Sequence, residues 1–166
     1  MDLQFHWARL DALSGLEVHE ILRARVAVFV VEQNCPYQEV DDMDLHAWHL
    51  RARLGTELAA CIRVVDPGVK YPQPSIGRVM TLAQFRQRQL GRALMAEAIR
   101  FTELQFPGMG IQIGAQVYLQ KFYASFGFEA VGEVYEEDGI AHLDMVRNSP
   151  ARAHGVPTGP DGPSLE

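Results

Sequence analysis

The hydrophobic positions of this chain change period several times, and each change marks an element. Near the start, "LQFHWARL" alternates apolar and polar residues, the period-two pattern of a half-buried strand. From Leu16 to Val31 the apolar positions Val18, Ile21, Leu22, Val26 and Phe29 recur at helical spacing. That stretch closes with "VAVFVVEQ", whose β-branched residues predict an early exit from the helix. "NCPYQEVDDMD" is acidic, is broken by Pro36 and reads as loop. "AWHLRARL" and "LAACIRVV" read as two strands joined at Gly55-Thr56 in a hairpin, and "DPGVKYPQP" as a loop.

Further on, "SIGRVMTL" predicts a strand and "GRALMAEAIRFTELQ" a helix, with Leu94, Ala98, Phe101 and Gln105 marking one side. "GMGIQIGAQ" holds a short strand, and "YLQKFYASFGF" a short helix that stops at Gly127. "EAVGEVYEEDGIAHLDMVR" predicts two antiparallel strands about an Asp138-Gly139 turn. The last residues are rich in Pro and Gly without apolar periodicity, which predicts a domain over 1–148 and a disordered tail over 149–166. The order β-α-β-β-β-α-β-α-β-β predicts an α/β (α+β) fold. Its mixed central sheet has about seven strands and flanking helices, with parallel pairing where a helix connects two strands.

Composition narrows the partners. At 166 residues and 48% apolar content the chain can bury one core. A formal net charge of -6 argues against general nucleic-acid or anionic-membrane binding. No stretch approaches the roughly 18 apolar residues of a spanning helix. Cys35 and Cys61 make no disulfide framework, and the start lacks a leader pattern. The expectation is a soluble, cytoplasmic protein with reduced thiols.

Against that acidic background, "FRQRQLGRAL" gathers Arg86, Arg88 and Arg92 at the start of a predicted helix. A helix N-terminus already carries partial positive charge and unpaired N–H groups. Cations there make sense if an anion is to sit in front of them. Strand, tight loop and helix start, in "SIGRVMTLAQFRQRQLGRALM", are the layout of a phosphate site, with Gly91 leaving room for close approach. A solvated, arginine-rich helix start is the bland alternative.

The order of elements, together with "VFVVEQNCPYQEVDDMDLHAWHL", "IGRV", "GAQVYLQKFYASFGF" and "GEVYEEDGIAHLDM", resembles the GNAT N-acetyltransferase superfamily, in its ElaA-like branch. The resemblance covers roughly residues 3 to 147. It implies an acetyl-CoA loop on Arg86-x-x-Gln89-x-Gly91, with the pyrophosphate on the main-chain N–H groups of Gln87, Arg88, Gln89, Leu90, Gly91 and Arg92. It further implies a pantetheine arm paired with the backbone of Val79, Met80 and Thr81. The sheet would splay there against the Gln112 strand, with Gln116 in the place of an Asn that contacts the cofactor in many relatives. Gln89 departs from the family pattern, which has glycine there. A non-glycine residue serves as well at negative φ and is costly only at positive φ, so the expectation is weaker but retained acetyl-CoA binding.

Acetyl transfer to an amine needs an amine deprotonated, an oxyanion stabilised and a thiolate protonated. The resemblance gives the first proton-donor role to Tyr123, and a main-chain N–H near Met80 suits the oxyanion. Glu32 stands first among base candidates, followed by Glu39, Asp41, Asp42, Asp44, His46 and His49, an acidic wall suited to a cationic amine. Glu133, Glu137, Asp138 and His142 are candidates for the acceptor side. Nothing places a histidine beside Cys35, which favours direct transfer over an acetyl-cysteine, and Cys61 reads as core. These acids and histidines lack a compact ligand signature, so no metal is expected. The expected acceptor is a small-molecule or peptide amine, and the family brings the expectation of a homodimer. Two competitors stand beside this reading: an acyltransferase with a longer donor, like acyl-homoserine-lactone synthases, and a non-catalytic CoA-binding sensor.

Overall fold

A computed structural model of the chain describes residues 2–150. Of the predicted tail, residues 151–166 lie outside the described residues. The first strand, β1 (Leu3–Arg9), leads through a short 3-10 turn into α1 (Gly15–Arg25). The early exit predicted from the valines does not occur. Val26–Glu32 instead continues as a π-helical segment, and Cys35 N–H still donates to Val30 C=O at 3.1 Å, five residues back. β-Branched side chains crowd the turn before them in an α-helix, and widening the turn eases that crowding. Val28 stays buried as a result.

A loop and a 3-10 turn (Asp42–His46) follow, then the hairpin of β2 (Ala47–Leu54) and β3 (Glu57–Val65) about Gly55-Thr56. β4 (Ser75–Thr81) leads through a 3-10 segment (Ala83–Arg88) into α2 (Gly91–Gln105) and β5 (Ile111–Gln116). A short α3 (Gln120–Ala124) precedes the hairpin of β6 (Glu129–Glu137) and β7 (Ile140–Arg147). Asp138 and Gly139 both take positive φ, 51° and 78°, as the tight turn between those strands requires.

The strands form two sheets, β1-β2-β3-β4 and β5-β7-β6, and every paired neighbour is antiparallel. The predicted parallel pairing therefore needs correction. β4 and β5, which α2 connects, are held at one end by Gln112 N–H donating to Pro74 C=O at 3.1 Å, and they form no ladder beyond it. A bulge in β4 accompanies the parting. Cys61 faces Met80 and Arg63 faces Gly77, so Arg78 and Val79 share one position opposite Ile62, and Arg78 takes φ 48°. Such bulges bend a strand and end its pairing.

Helices cover both faces, which is why β3 reads as a nearly unbroken apolar run. On one face α2 sends Leu94, Met95, Ala98 and Ile99 against Ile62, Val64, Ile113 and Phe128. On the other, Ile21, Ala24 and Val28 pack on Leu58, Cys61 and Met80. Among the described residues no helix is long and apolar enough to cross a membrane.

Candidate active site

Where β4 and β5 part, a cavity of about 390 Å³ opens, with Ile76, Gly77 and Val79 on one side and Ile113, Gly114 and Gln116 on the other. Its volume falls in the usual range of ligand sites, about 300–1,000 Å³. Tyr123 from α3 lines it, as do Cys35 and Tyr37 from the loop after the π-helical segment and Glu137 and His142 from the last hairpin. Val79, Gln116 and Tyr123 are thus brought together around one opening. Met80 lies next to Val79 on β4 with its side chain buried toward α1, and Thr81 ends the strand.

The loop from Leu82 to Gly91 leaves the start of α2 unsatisfied by the protein. Leu90 is its cap, no side chain accepts from the first-turn N–H groups, and the first turn holds no acid. Arg86, Gln87, Arg88 and Arg92 are exposed around it. Neither Arg88 nor Arg92 has a carboxylate partner among the described residues; Arg88 lies over Phe85, while Arg92 lies over Phe126 and donates to Ser125 Oγ at 3.1 Å. A Cβ added at Gly91 would meet nothing nearer than Phe122 Cζ at 3.8 Å, so the face is open to an approaching ligand rather than filled by the protein. Orphan N–H donors and cations in one open turn fit a pyrophosphate.

Gln89 takes φ 54° and ψ 42°, the left-handed conformation. The expectation of a cheap substitution held only for negative φ; the structure places Gln89 in the costly region, where a side chain loses roughly 1–2 kcal/mol relative to the right-handed one.

Glu32 does not line the cavity. Its carboxylate is tied to the Arg86 guanidinium, whose Nη2 reaches Oε2 at 2.9 Å while Nε donates to Thr81 C=O. The Arg86 hydrogen bonds hold the Glu32 carboxyl below its ordinary range. A carboxylate so paired has little affinity for an amine proton, which counts against the predicted base role.

The acidic wall is likewise spent within the protein. Arg25, 2% exposed, donates to Glu39 Oε1 at 2.7 Å and to Asp44 Oδ1 at 2.8 Å. Arg63 reaches Asp41 and Asp44, and Arg78 reaches Glu39 and Asp41. Burial would raise the Asp44 pKa, but Arg25 and Arg63 outweigh it and the net shift is downward. His49 Nε2 lies 3.0 Å from Asp44 C=O, and burial lowers its pKa. Three arginines match Glu39, Asp41 and Asp44, so these three carboxylates offer no free negative charge to a cationic substrate. Asp42 and His46 are exposed and do not line the cavity.

Tyr123 packs edge-on to Phe122 and Phe128, and burial pushes its hydroxyl up to about 12. A cluster missed by the sequence reading lies across β5: Asp144 Oδ1 accepts from Tyr135 Oη at 2.7 Å and from Tyr71 Oη at 3.0 Å, and Gln112 Nε2 reaches Oδ2 at 3.3 Å. Gly114 makes room for it, since a Cβ there would stand 3.0 Å from Tyr135 Oη. The glycine in "IQIGAQ", inside a short strand, was the available signal.

The acetyltransferase (GNAT) domain family matches residues 16–149. A UPF0039 protein of Synechocystis is 40% identical over 151 residues, covering 90% of this chain and 98% of that protein. The crystal structure of an acyl-CoA N-acyltransferase from Pseudomonas aeruginosa superposes with a TM-score of 0.83 at 40% identity, covering 88% of this chain and 99% of the other. That of Escherichia coli ElaA gives 0.82 at 37% identity over 89% and 100%.

Proposed function

Since the chain belongs to the GNAT acetyltransferase family, we propose that it transfers the acetyl group of acetyl-CoA directly to an amine of a small molecule or peptide. The observation that carries this reading is the uncapped, arginine-bearing start of α2 beside the parting of β4 and β5. Main-chain N–H groups of residues 87–92, with Arg86, Arg88 and Arg92, hold the pyrophosphate and outer phosphate. The backbone of Val79–Thr81 pairs with the pantetheine arm, Gln116 closes the far side, and a main-chain N–H near Met80 receives the oxyanion.

In the reaction a C–N bond forms to the carbonyl carbon and the C–S bond breaks. Tyr123 donates a hydrogen bond to the departing sulfur. At about 12 its hydroxyl is a weaker acid than a thiol, near 8.5, so it does not stay ionised after passing a proton. It regains one from the amine nitrogen as the amide forms. Glu32 is given a different part from the one its sequence position suggested. It holds Arg86 against the loop and yields it to phosphate. Cytoplasmic residence and a homodimer belong to the same proposal.

Thermal unfolding with acetyl-CoA tests the donor half. At about 100 times its Kd a ligand bound only to the folded chain adds roughly 2.7 kcal/mol, or about 5 °C or more in Tm for a domain of this size. The shift is expected to shrink with the analogue lacking the 3′-phosphate. Turnover is then followed with spermidine, tyramine and trilysine against acyl donors of increasing length. Absence of any shift would sink the reading, and preference for a long acyl chain would replace acetyl-CoA with that donor.

A further inference from the structure

Transfer to an amine requires a group that accepts a proton from the ammonium, and the expected candidates are tied up elsewhere. Glu32 is paired with Arg86 outside the cavity, and Glu39, Asp41 and Asp44 are matched to Arg25, Arg63 and Arg78. We propose that His142 Nε2 takes this proton, an assignment that rests on the acetyltransferase reading above.

His142 lies on β7 directly opposite Gln116, the residue at the end of β5 where the sheets part. Cross-strand partners project from the same face roughly 5 Å apart, and both line the cavity. His142 is 9% exposed, with Nδ1 2.8 Å from Ile140 C=O. A carbonyl oxygen only accepts, so Nδ1 carries the hydrogen, and the neutral ring presents a bare lone pair at Nε2. The nearest carboxylate oxygen, Glu137 Oε2, is 3.7 Å from Nε2, too far to occupy it by a hydrogen bond.

The ring is also held in place. It stacks on Tyr135 at 5.9 Å between centroids and 22° between planes. The Tyr135 hydroxyl is anchored on Asp144, which Tyr71 and Gln112 secure from the other side. Gly114 leaves the space that this platform needs. A base whose tautomer and plane are fixed before substrate arrives loses little in orienting itself. The ammonium nitrogen gives its first proton to Nε2 and attacks the carbonyl carbon. The second proton leaves the nitrogen as the C–S bond breaks and goes to the Tyr123 oxygen, which has protonated the sulfur. His142 then returns its proton to water. The net change is one amide, one thiol and one released proton.

The titratable and charged groups that share the cavity with His142 are Glu137, Asp138, Cys35, Tyr37, Lys70, Tyr118 and Tyr123, together with Asp41, Arg63 and Arg78 of the ion-pair network, and Tyr135 stacks on its ring. The test has two readouts. In the free, 15N-labelled full chain, long-range nitrogen–proton correlation is expected to show the Nδ1–H tautomer of the neutral ring; a hydrogen on Nε2 of the neutral ring would overturn the proposal whatever the activity. In turnover with spermidine, tyramine or trilysine, His142→Asn keeps a donor for Ile140 C=O while deleting the Nε2 lone pair. Its kcat is expected to fall about 100-fold, with KM for acetyl-CoA within twofold and the acidic limb of the wild-type pH profile abolished. His142→Gln serves if the first variant fails to fold. Retention of a third of kcat or of the acidic limb by His142→Asn would overturn the assignment. An inert wild type that still binds acetyl-CoA would instead defeat the acetyltransferase reading, and the base with it. The two failures are told apart by whether wild type turns over.

Discussion

The two longer helices of this molecule begin with the same residue and then diverge. α1 opens Gly15-Leu16-Glu17 and α2 opens Gly91-Arg92-Ala93. Ahead of α1, Ser14 Oγ accepts from Glu17 N–H at 3.1 Å, and Glu17 Oε1 accepts from Ser14 N–H at 2.9 Å. That reciprocal box satisfies two orphan donors and sets an acid against the positive end of the helix. Ahead of α2 stands Leu90, with no side-chain acceptor and no acid, and the charge added is Arg92. One end is closed by its own sequence. The other is left open, at some cost in helix stability, and the proposed function puts an anion there.

Exchanging the two solutions should give the largest effect. Ala93 occupies in α2 the third helical position that Glu17 holds in α1, and it is exposed. Ala93→Glu therefore adds about 0.3–1 kcal/mol of helix-end stabilisation while placing a carboxylate against the phosphates. Acetyl-CoA affinity is expected to fall at least tenfold, roughly 1.4 kcal/mol, with Tm unchanged or slightly raised. Isothermal titration beside a melting curve reads both. Unchanged affinity would mean that this helix start is not the phosphate site. Arg92→Ala should act in the same direction but less, by roughly three- to tenfold, because an exposed cation is partly screened. Raising the salt should narrow the gap between that variant and wild type.

The opposite end supplies the control. Ser14→Ala breaks the box on α1 and is expected to cost about 1 kcal/mol, a fall in Tm of about 2–4 °C. Acetyl-CoA affinity should not move. A loss of affinity there would show that the two helix starts are coupled, contrary to the division drawn above.

How much of this was legible beforehand divides along the same line, between what is local and what is not. α2, the Gly55-Thr56 hairpin and the Asp138-Gly139 turn follow from nearest-neighbour patterns, and the sequence reading found them. The arginines before α2 were legible because their charge contradicts the helix end they flank. Glu39, Asp41 and Asp44 read as a free acidic wall because their partners Arg25, Arg63 and Arg78 lie on three other elements. The antiparallel pairing throughout was missed for a like reason. The bulge at Arg78 and the parting of β4 from β5 depend on what the strands do not bond, and no local period records that. His142 was found only as one of several acceptor-side residues, since Gln116 opposite it and Tyr135 stacked on it come from two other strands.

The smallest expected effect concerns the one strained residue in the open loop. Gln89 sits at φ 54°, where glycine carries no side-chain penalty, so Gln89→Gly relieves roughly 1–2 kcal/mol of backbone strain. Glycine also has more freedom to lose on folding, a cost of about 0.4–1 kcal/mol. The balance is a gain of roughly 0–1.6 kcal/mol, or about 0–6 °C in Tm. If the left-handed turn at residue 89 is the conformation that receives the pyrophosphate, affinity for acetyl-CoA should stay within threefold. In that case the side chain has been accommodated at the loop's own expense and not the ligand's. A tenfold gain in affinity would say instead that the ligand pays to reshape this turn, and that the loop before α2 is less ready for its anion than the box before α1 is for its own N–H groups.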